Sequence, residues 1–382
     1  MRLLHIADLH IGKRVCEFSM LEDQRHVLEQ VVEMLAGDRA DALLVAGDLY
    51  DKSLPSAEAV ALVDWFLAEV AATGKPAVII PGNHDSAERV AYARESLARQ
   101  RIHVAPVFGG EVEPVELEDD RGPVRVWPIP FLRPATVRHF FPEAEIESYA
   151  DALRTVVGSL GLDSAVRNVA VSHQFVTASG VTPERSDSEV SVGGLDNVDA
   201  RVFADFDYVA LGHIHRPQRI GCETARYAGS ILKYSFSEAQ DTKSAVLATL
   251  GDPGEEAGIE LVPLRPLHDL RSIRGPLERL VSPEVVEAAD ARDYIHAVLT
   301  DENPALDALA RLRDAYPNVM GVEYDNARTR AADAEGAEDA PGEDEASPIE
   351  VFGDFYERQN GSPLSDGQRA IVEAELERLG VR

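Results

Sequence analysis

The stretch YVALGHIHRPQ, residues 208–218, is an apolar run that stops on two histidines, His213 and His215, one residue apart. A hydrophobic strand gains no burial from such an ending, so the histidines point to chemistry at its tip. The same layout recurs along the chain. LLHIADLH ends on Asp8 and His10, ALLVAGDLYD on Asp48 and Asp51, AVIIPGNHD on Asn83, His84 and Asp85, and NVAVSHQF on His173. Short aliphatic and β-branched runs of this kind read as buried strands of a layered α/β protein. In such folds the C-terminal ends of strands share one rim, so loops distant in sequence converge there.

Between the first three runs lie two amphipathic stretches, EDQRHVLEQVVEMLA (22–36) and SAEAVALVDWFLAEVAATG (56–74). The second is opened by Ser56 and closed by Gly74, the residues that start and stop helices. The early chain therefore alternates strand and helix. RVWPIPF, VAVSHQF, YVALGH, ARYAGS and SAVLATL follow more closely and predict a second sheet packed on the first. After residue 265 the ligand endings cease, and the pattern reads strand, strand, helix, strand. The expected organisation is thus a layered two-sheet α/β sandwich flanked by helices over 1–265 and a small α+β domain over 266–325. An acidic linker without apolar periodicity follows over 326–348, and a helical pair over 349–382. Ile349, Val351, Phe352, Phe355 and Tyr356 on the first of these helices, with Ile371, Val372, Leu376 and Leu379 on the second, are more apolar surface than two helices bury between themselves. They want a partner, another chain or their own.

No apolar stretch has the ~20 residues of a membrane span, and MRLLHIADLH lacks the apolar core of a signal peptide, so a cytoplasmic location is expected. Cys16 and Cys222 offer neither a disulfide framework nor a thiolate metal site and read as buried or half-buried thiols. The formal net charge of −30 argues against a protein that grips nucleic acid through a basic face. Bound divalent cations resolve that conflict, because they can be the largest local charges in a site.

Eleven histidines divide into two groups. His5, His26, His103, His139, His268 and His296 read as core or surface residues, whereas His10, His84, His173, His213 and His215 stand at strand ends beside Gly, Asp or Asn. Asp, Asn and His supply oxygen and imidazole ligands with no thiolate, a set that suits Mn²⁺, Fe or Zn. Residues two apart on an extended segment point the same way, so Asp8 and His10 can share one ion. His213 and His215 have the same spacing and can each take one of two adjacent ions. Asp51 reads instead as an acid at a helix N-terminus.

Asp8-x-His10, Gly47-Asp48-x-x-Asp51, Gly82-Asn83-His84-Asp85, Ser172-His173 and Gly212-His213-x-His215 resemble, in this order, the five motifs of the calcineurin-like metallophosphoesterases. IADLHIGKR, GDLYDKSLPS, PIPFLRP and YAGSILKYSFSEA are similar to the SbcD family of bacterial nuclease subunits. The resemblance runs from residue 1 to about 250. It implies a metallophosphoesterase sandwich with two divalent ions, Mn²⁺ foremost. Asp8, His10, Asp48 and His215 would hold one ion, and Asp48, Asn83, His173 and His213 the other, with Asp48 bridging. It also implies a metal-dependent DNA exonuclease and endonuclease that works with an SbcC-type coiled-coil ATPase, as a homodimer within a heterotetramer associated with the nucleoid. The small domain would cap the first, and the C-terminal helices would dock the ATPase. No phosphate-binding G-x-x-x-x-G-K-[ST] occurs, so no ATP is expected on this chain.

In this reading His84 is not a ligand but stabilises the phosphate or protonates the leaving oxygen, with Asp85 fixing its tautomer. Lys13, Arg14, Lys52, Arg89, Arg216 and Arg219 follow the ligand loops and are candidates for DNA phosphate contacts. A phosphatase or phosphodiesterase for small substrates shares the same metal residues. A non-catalytic scaffold is a further alternative, although it would be expected to lose ligands.

Overall fold

The computed structural model describes residues 1–178, 182–189, 197–303, 305–327, 329–330, 349, 352–353, 356 and 363–379. Two six-stranded sheets form its centre. The first takes β1 (Arg2–Ile6), β2 (Ala42–Ala46), β3 (Ala77–Ile80) and β4 (Ile102–Val104) side by side in parallel. The second is built on β6 (Gly122–Ile129), β7 (Arg167–His173), β8 (Tyr208–Gly212) and β10 (Cys222–Tyr227), also parallel. Its edges are closed antiparallel by β5 (Val115–Asp119) on β6 and β9 (Gln218–Ile220) on β10.

The strand runs lack polar alternation because both faces of each central strand are covered. In β2, Ala42, Leu44 and Ala46 face Val126, Val169, Val171 and Ala210 in the layer between the sheets. Leu43 and Val45 turn outward onto Val27, Leu28 and Val31 of α1 (Leu21–Ala36) and Leu62, Val63 and Phe66 of α2 (Ala57–Ala72). The helix Tyr149–Gly158 covers the far side of the second sheet with Ala152, Leu153 and Val156. The result is the expected four-layer sandwich. Ser56 caps α2 by accepting the N–H of Ala59 at 3.2 Å, and Gly74 follows with φ +69°.

Two expectations need correction. SAVLATL forms β11 (Ser244–Thr249), which returns to the first sheet and pairs antiparallel with β1, followed outward by β12 (Gly258–Pro263). An apolar run carries no label for the sheet it joins, and only pairing with β1 decides it. Cys16 and Cys222 are exposed rather than buried. Cys16 sits in a tight turn with φ +44°, and Cys222 opens an edge hairpin after Gly221, φ +76°.

After residue 265 come β13 (Leu270–Gly275), β14 (Tyr294–Leu299), the helix Ala308–Ala315 and β15 (Val319–Tyr324), with the strands in one sheet in that order. The chain divides into two compact units. One comprises Met1–Arg274, Glu278–Val298 and Asp307–Glu323, the other Gly275–Leu277, Leu299–Leu306 and Tyr324–Arg382. Within the second unit Asp301 accepts the Leu277 N–H at 2.8 Å and its carbonyl accepts from Asn326 Nδ2 at 3.1 Å. The helix Asp366–Leu379 lies there too, with Ile371 66% exposed. Most of the expected linker, 331–348, and most of the first of the two expected C-terminal helices lie outside the described residues. No helix among the described residues is long and apolar enough to cross a membrane.

Candidate metal centre

Five strand ends converge at one rim. β1 delivers Asp8 and His10, β2 delivers Asp48, β3 delivers Asn83 and His84, β7 ends on His173, and β8 delivers His213 and His215. The first two loops are tied together by Asp8 N to Gly47 O at 3.2 Å, His10 N to Asp48 O at 2.9 Å and a bridge between Ile11 and Tyr50. Asp8, His10, Asp48 and His213 all adopt positive φ, at 50°, 45°, 48° and 102°. Strain of this kind, of order 1–3 kcal/mol per residue, persists only where the surroundings over-determine it and clusters at functional sites. Here it turns the chain back so that side chains aim across the rim.

The glycines of three motifs leave the room. A Cβ on Gly47 would stand 2.2 Å from His173 Nδ1, one on Gly82 2.2 Å from Asp48 Oδ1, and one on Gly212 1.8 Å from the Ala46 carbonyl oxygen. Ligand side chains occupy the volume that methyl groups on Gly47 and Gly82 would fill, and the opposing strand's backbone that at Gly212.

The polar atoms at the rim fit metal ions better than they fit one another. His10 Nε2 and His215 Nε2 face each other at 3.1 Å, both buried. Asp48 Oδ2 stands 3.6 Å from His10 Nε2 and 3.4 Å from His173 Nε2, between the two halves of the site. Asn83 Oδ1 receives His173 Nε2 at 2.9 Å and His213 Nδ1 at 3.0 Å. Asp8 Oδ2 and His10 Nδ1 are buried without a hydrogen-bond partner. Buried orphans of this sort are rare and call for an ion or water. Two groups of donor atoms, Asp8, His10 and His215, and Asp8, Asp48 and His173, each lie within 4.8 Å of one another. The donor set, all oxygen and imidazole, suits hard or borderline divalent cations.

Electrostatics agree with that reading. Burial, together with the nearby Asp48 charge, pushes Asp8 up to about 7. Asp48 is also buried, yet the rings of His173, His10 and His84 hold it below the ordinary carboxylate range. Burial lowers His213 to about 3 and His10 well below its usual value. His173 goes the other way: against burial, the Asp48 carboxylate raises it to about 9. Its Nδ1 donates to the Ala46 carbonyl at 2.8 Å, which directs Nε2 into the site.

His84 is exposed at the open side, its ring 4.9 Å from that of His10. Its Nδ1 meets the Asp51 carbonyl oxygen at 3.2 Å, so the expectation that Asp85 orients it is corrected. The Asp85 carboxylate is occupied by the backbone N–H groups of Gly82, Leu49 and Tyr50, each at 2.9 Å, and it knits the β2 and β3 loops together. Asp51 is likewise no helix-terminal acid, since α2 begins six residues later. Its Oδ1 receives Lys13 Nζ at 2.9 Å and lies 3.6 Å from His10 Nδ1.

Of the six basic candidates, four are engaged. Lys13 pairs with Asp51, Arg14 with the Glu17 carbonyl, Arg219 with Glu223, and Arg216 with both Asp241, at 3.1 Å, and Glu184, at 2.6 Å. Lys52 and Arg89 are exposed and make no ion pair among the described residues. A set of supporting residues, Gln24, Ser188, Glu189, Tyr234, Glu238 and Lys243, was not singled out as site residues by the sequence, although Tyr234 and Glu238 lie within YAGSILKYSFSEA. Gln24 Nε2 donates to the His10 carbonyl at 2.8 Å and bonds the Tyr234 hydroxyl at 2.9 Å. None of these residues ends a strand on a ligand motif, the one signal that would have singled them out.

A family model for the calcineurin-like phosphoesterases matches residues 1–217. A second, for the type 5 capsule protein repressor C-terminal domain, matches residues 266–360. A relative from Staphylococcus epidermidis, the D subunit of the nuclease SbcCD, is 30% identical over 325 residues, which cover 84% of this chain and 85% of that one. Among solved structures, a Thermus thermophilus protein (13% identical, TM-score 0.37) and a dimetal phosphatase from Danio rerio (14%, TM-score 0.40) each align with 69% of this chain and 99% of their own. The chain belongs to the calcineurin-like phosphoesterases, in the family of the SbcD nuclease subunits.

Proposed function

We propose that the chain is a DNA nuclease that hydrolyses phosphodiester bonds with the help of two divalent cations, Mn²⁺ foremost. It digests duplex DNA from its ends and cuts single-stranded and hairpin DNA. It works as a homodimer with an SbcC-type coiled-coil ATPase in the processing of DNA ends for repair and recombination. The observation that carries this reading is two buried donor groups at one rim, with Asp48 Oδ2 between His10 and His173 and an exposed histidine across the open side.

Asp8, His10, Asp48 and His215 would hold one ion, and Asp48, Asn83, His173 and His213 the other. When bound, such ions polarise the phosphate and lower the pKa of water, so that neutral pH suffices to make a nucleophile. The chain's own residues supply the rest. With Nδ1 of His84 donating to the Asp51 carbonyl, a protonated ring presents its second proton on Nε2, where the leaving sugar oxygen can take it. Asp85 holds the loop that carries His84 and Asn83 against the loop that carries Asp48. The net charge of −30 is compatible with DNA because bound divalent cations would supply the positive charge at the site. Of the six candidates, Lys52 and Arg89 are the two without an ion pair among the described residues, and they would meet the phosphate backbone.

Mn²⁺-dependent cleavage of end-labelled linear and hairpin duplexes, beside a generic phosphodiester, tests the reading. His84→Ala is expected to lose roughly 10²- to 10⁴-fold in turnover while retaining its metal. Loss of metal in that variant removes His84 from the proton-donor role. Phosphodiester turnover with no DNA cleavage, even with the ATPase added, would favour a small-substrate enzyme. No turnover of either would leave the scaffold.

A further inference from the structure

Apart from Nε2, which faces His10, the polar atoms of His215 are held by side chains outside the metal motifs. Its backbone N–H donates to Glu189 Oε1 at 2.7 Å, and its carbonyl accepts from Lys243 Nζ at 2.8 Å. Its Nδ1 meets Ser188 Oγ at 2.8 Å. Ser188 in turn meets Glu238 Oε1 at 2.8 Å, and Glu238 Oε2 receives Lys243 Nζ at 2.6 Å. Glu238 and Lys243 are 0% and 4% exposed, so the pair is closed off from solvent.

The direction of each hydrogen bond follows from proton counting. Glu238, buried against an ammonium at 2.6 Å, is a carboxylate, and a carboxylate only accepts. Ser188 owns one hydroxyl proton, and Glu238 Oε1 claims it. Ser188 Oγ therefore has only lone pairs left for its two remaining neighbours, the Ser186 hydroxyl at 2.6 Å, which donates to it, and His215 Nδ1. His215 must donate to it, which fixes a proton on Nδ1 and, in the neutral ring, leaves the Nε2 lone pair aimed at His10 and the metal group with Asp8. We infer that Ser188 and Glu238 are positioning residues that set the His215 tautomer, a relay of Glu238 carboxylate, Ser188 hydroxyl and His215 imidazole that keeps Nε2 ready to ligate a divalent cation. The inference rests on the proposed metal centre and adds to it the groups that select the tautomer of one of its ligands. Outer partners of this kind cost 10- to 100-fold in metal affinity when removed, as an order-of-magnitude expectation.

Ser188 is the residue to change, because it is half-buried and its removal leaves the Glu238–Lys243 pair intact. Two readouts separate the relay from the metal centre. In the full chain freed of metal, ¹⁵N NMR of the His215 ring reports which nitrogen carries the proton. Calorimetric titration with Mn²⁺ reports affinity. The wild type is expected to show protonated Nδ1, Ser188→Ala a mixture of tautomers with roughly 10- to 100-fold weaker Mn²⁺ binding, and Ser188→Thr, which restores a hydroxyl, recovery of both. Unchanged tautomer and affinity in Ser188→Ala, with a wild-type melting profile, would overturn the relay. A tautomer that changes in Ser188→Ala, alongside a wild-type chain that binds no Mn²⁺, would support the relay and refute the metal centre instead.

Discussion

Gly212 offers a quantitative test of how tightly the sandwich and its rim depend on each other. It ends β8, in register with His173 of β7, and a Cβ at that position would lie 1.8 Å from the Ala46 carbonyl oxygen and 3.0 Å from its carbonyl carbon. Both atoms are backbone at the end of β2 in the opposing sheet, so no side chain can swing aside. Gly212→Ala must separate the two strand ends by roughly 1 Å or more, since real Cβ contacts stay beyond about 3 Å. Overpacking of a core generally costs 1–3 kcal/mol, and a clash with backbone belongs near the top of that range, about 3 kcal/mol. For a unit of this size, with an unfolding entropy of about 2.1 cal/mol/K per residue, about 3 kcal/mol lowers Tm by roughly 5 °C. The control is Gly74→Ala, where φ is +69° but nothing lies within 4 Å. That change carries only the left-handed backbone penalty, about 1 kcal/mol, or roughly 1–2 °C. The site should suffer as well, because the oxygen that must move accepts the His173 Nδ1 proton. Thermal unfolding in chelator and calorimetric Mn²⁺ titration measure the two effects. A Gly212→Ala protein that melts with the Gly74→Ala control and binds Mn²⁺ like the wild type would refute the claimed coupling between sheet packing and ligand placement.

The buried His5, whose Nδ1 accepts the Tyr208 hydroxyl at 2.9 Å, is lowered by burial from 6.5 to about 3. It stays neutral in the fold while the unfolded chain takes up a proton below 6.5, so stability is lost as pH falls through that window. Between pH 7 and 5 the loss is about 2 kcal/mol, which His5→Leu should abolish in chelator-treated protein followed by thermal unfolding; parallel pH profiles would count against it. Replacing Lys52 and Arg89 together by Gln should make log K for DNA against log salt shallower by roughly 1 to 2, whereas Arg216→Gln with Arg219→Gln, already paired to carboxylates, should leave the slope alone. The reverse pattern would show that the carboxylate pairs open on DNA.

Asp8, His10, Asp48, Asn83, His84, His173, His213 and His215 are legible in the sequence because each follows an apolar strand, and strand ends in a layered sheet meet at one rim. The helices α1 and α2 are legible for a similar reason, since their periodicity and end residues are local properties. The partner of His84 is not. Asp85 is adjacent in sequence, but three backbone N–H groups of the neighbouring loops take its oxygens, and it is the Asp51 carbonyl that meets the ring. Sequence adjacency of Arg216 and Arg219 to a ligand loop likewise says nothing of Glu184, Asp241 and Glu223, which neutralise them.

The sequence by itself determined which side chains are candidate ligands and which segments are strand or helix, because those follow from residue type, spacing and periodicity within a few residues. Only the tertiary structure decided which sheet SAVLATL would join, which basic residues are already paired and which nitrogen of His215 carries the proton. Those depend on strand pairing and on which of many possible hydrogen-bond partners, near or far in sequence, each group meets, where buried groups compete for a limited number of donors and acceptors.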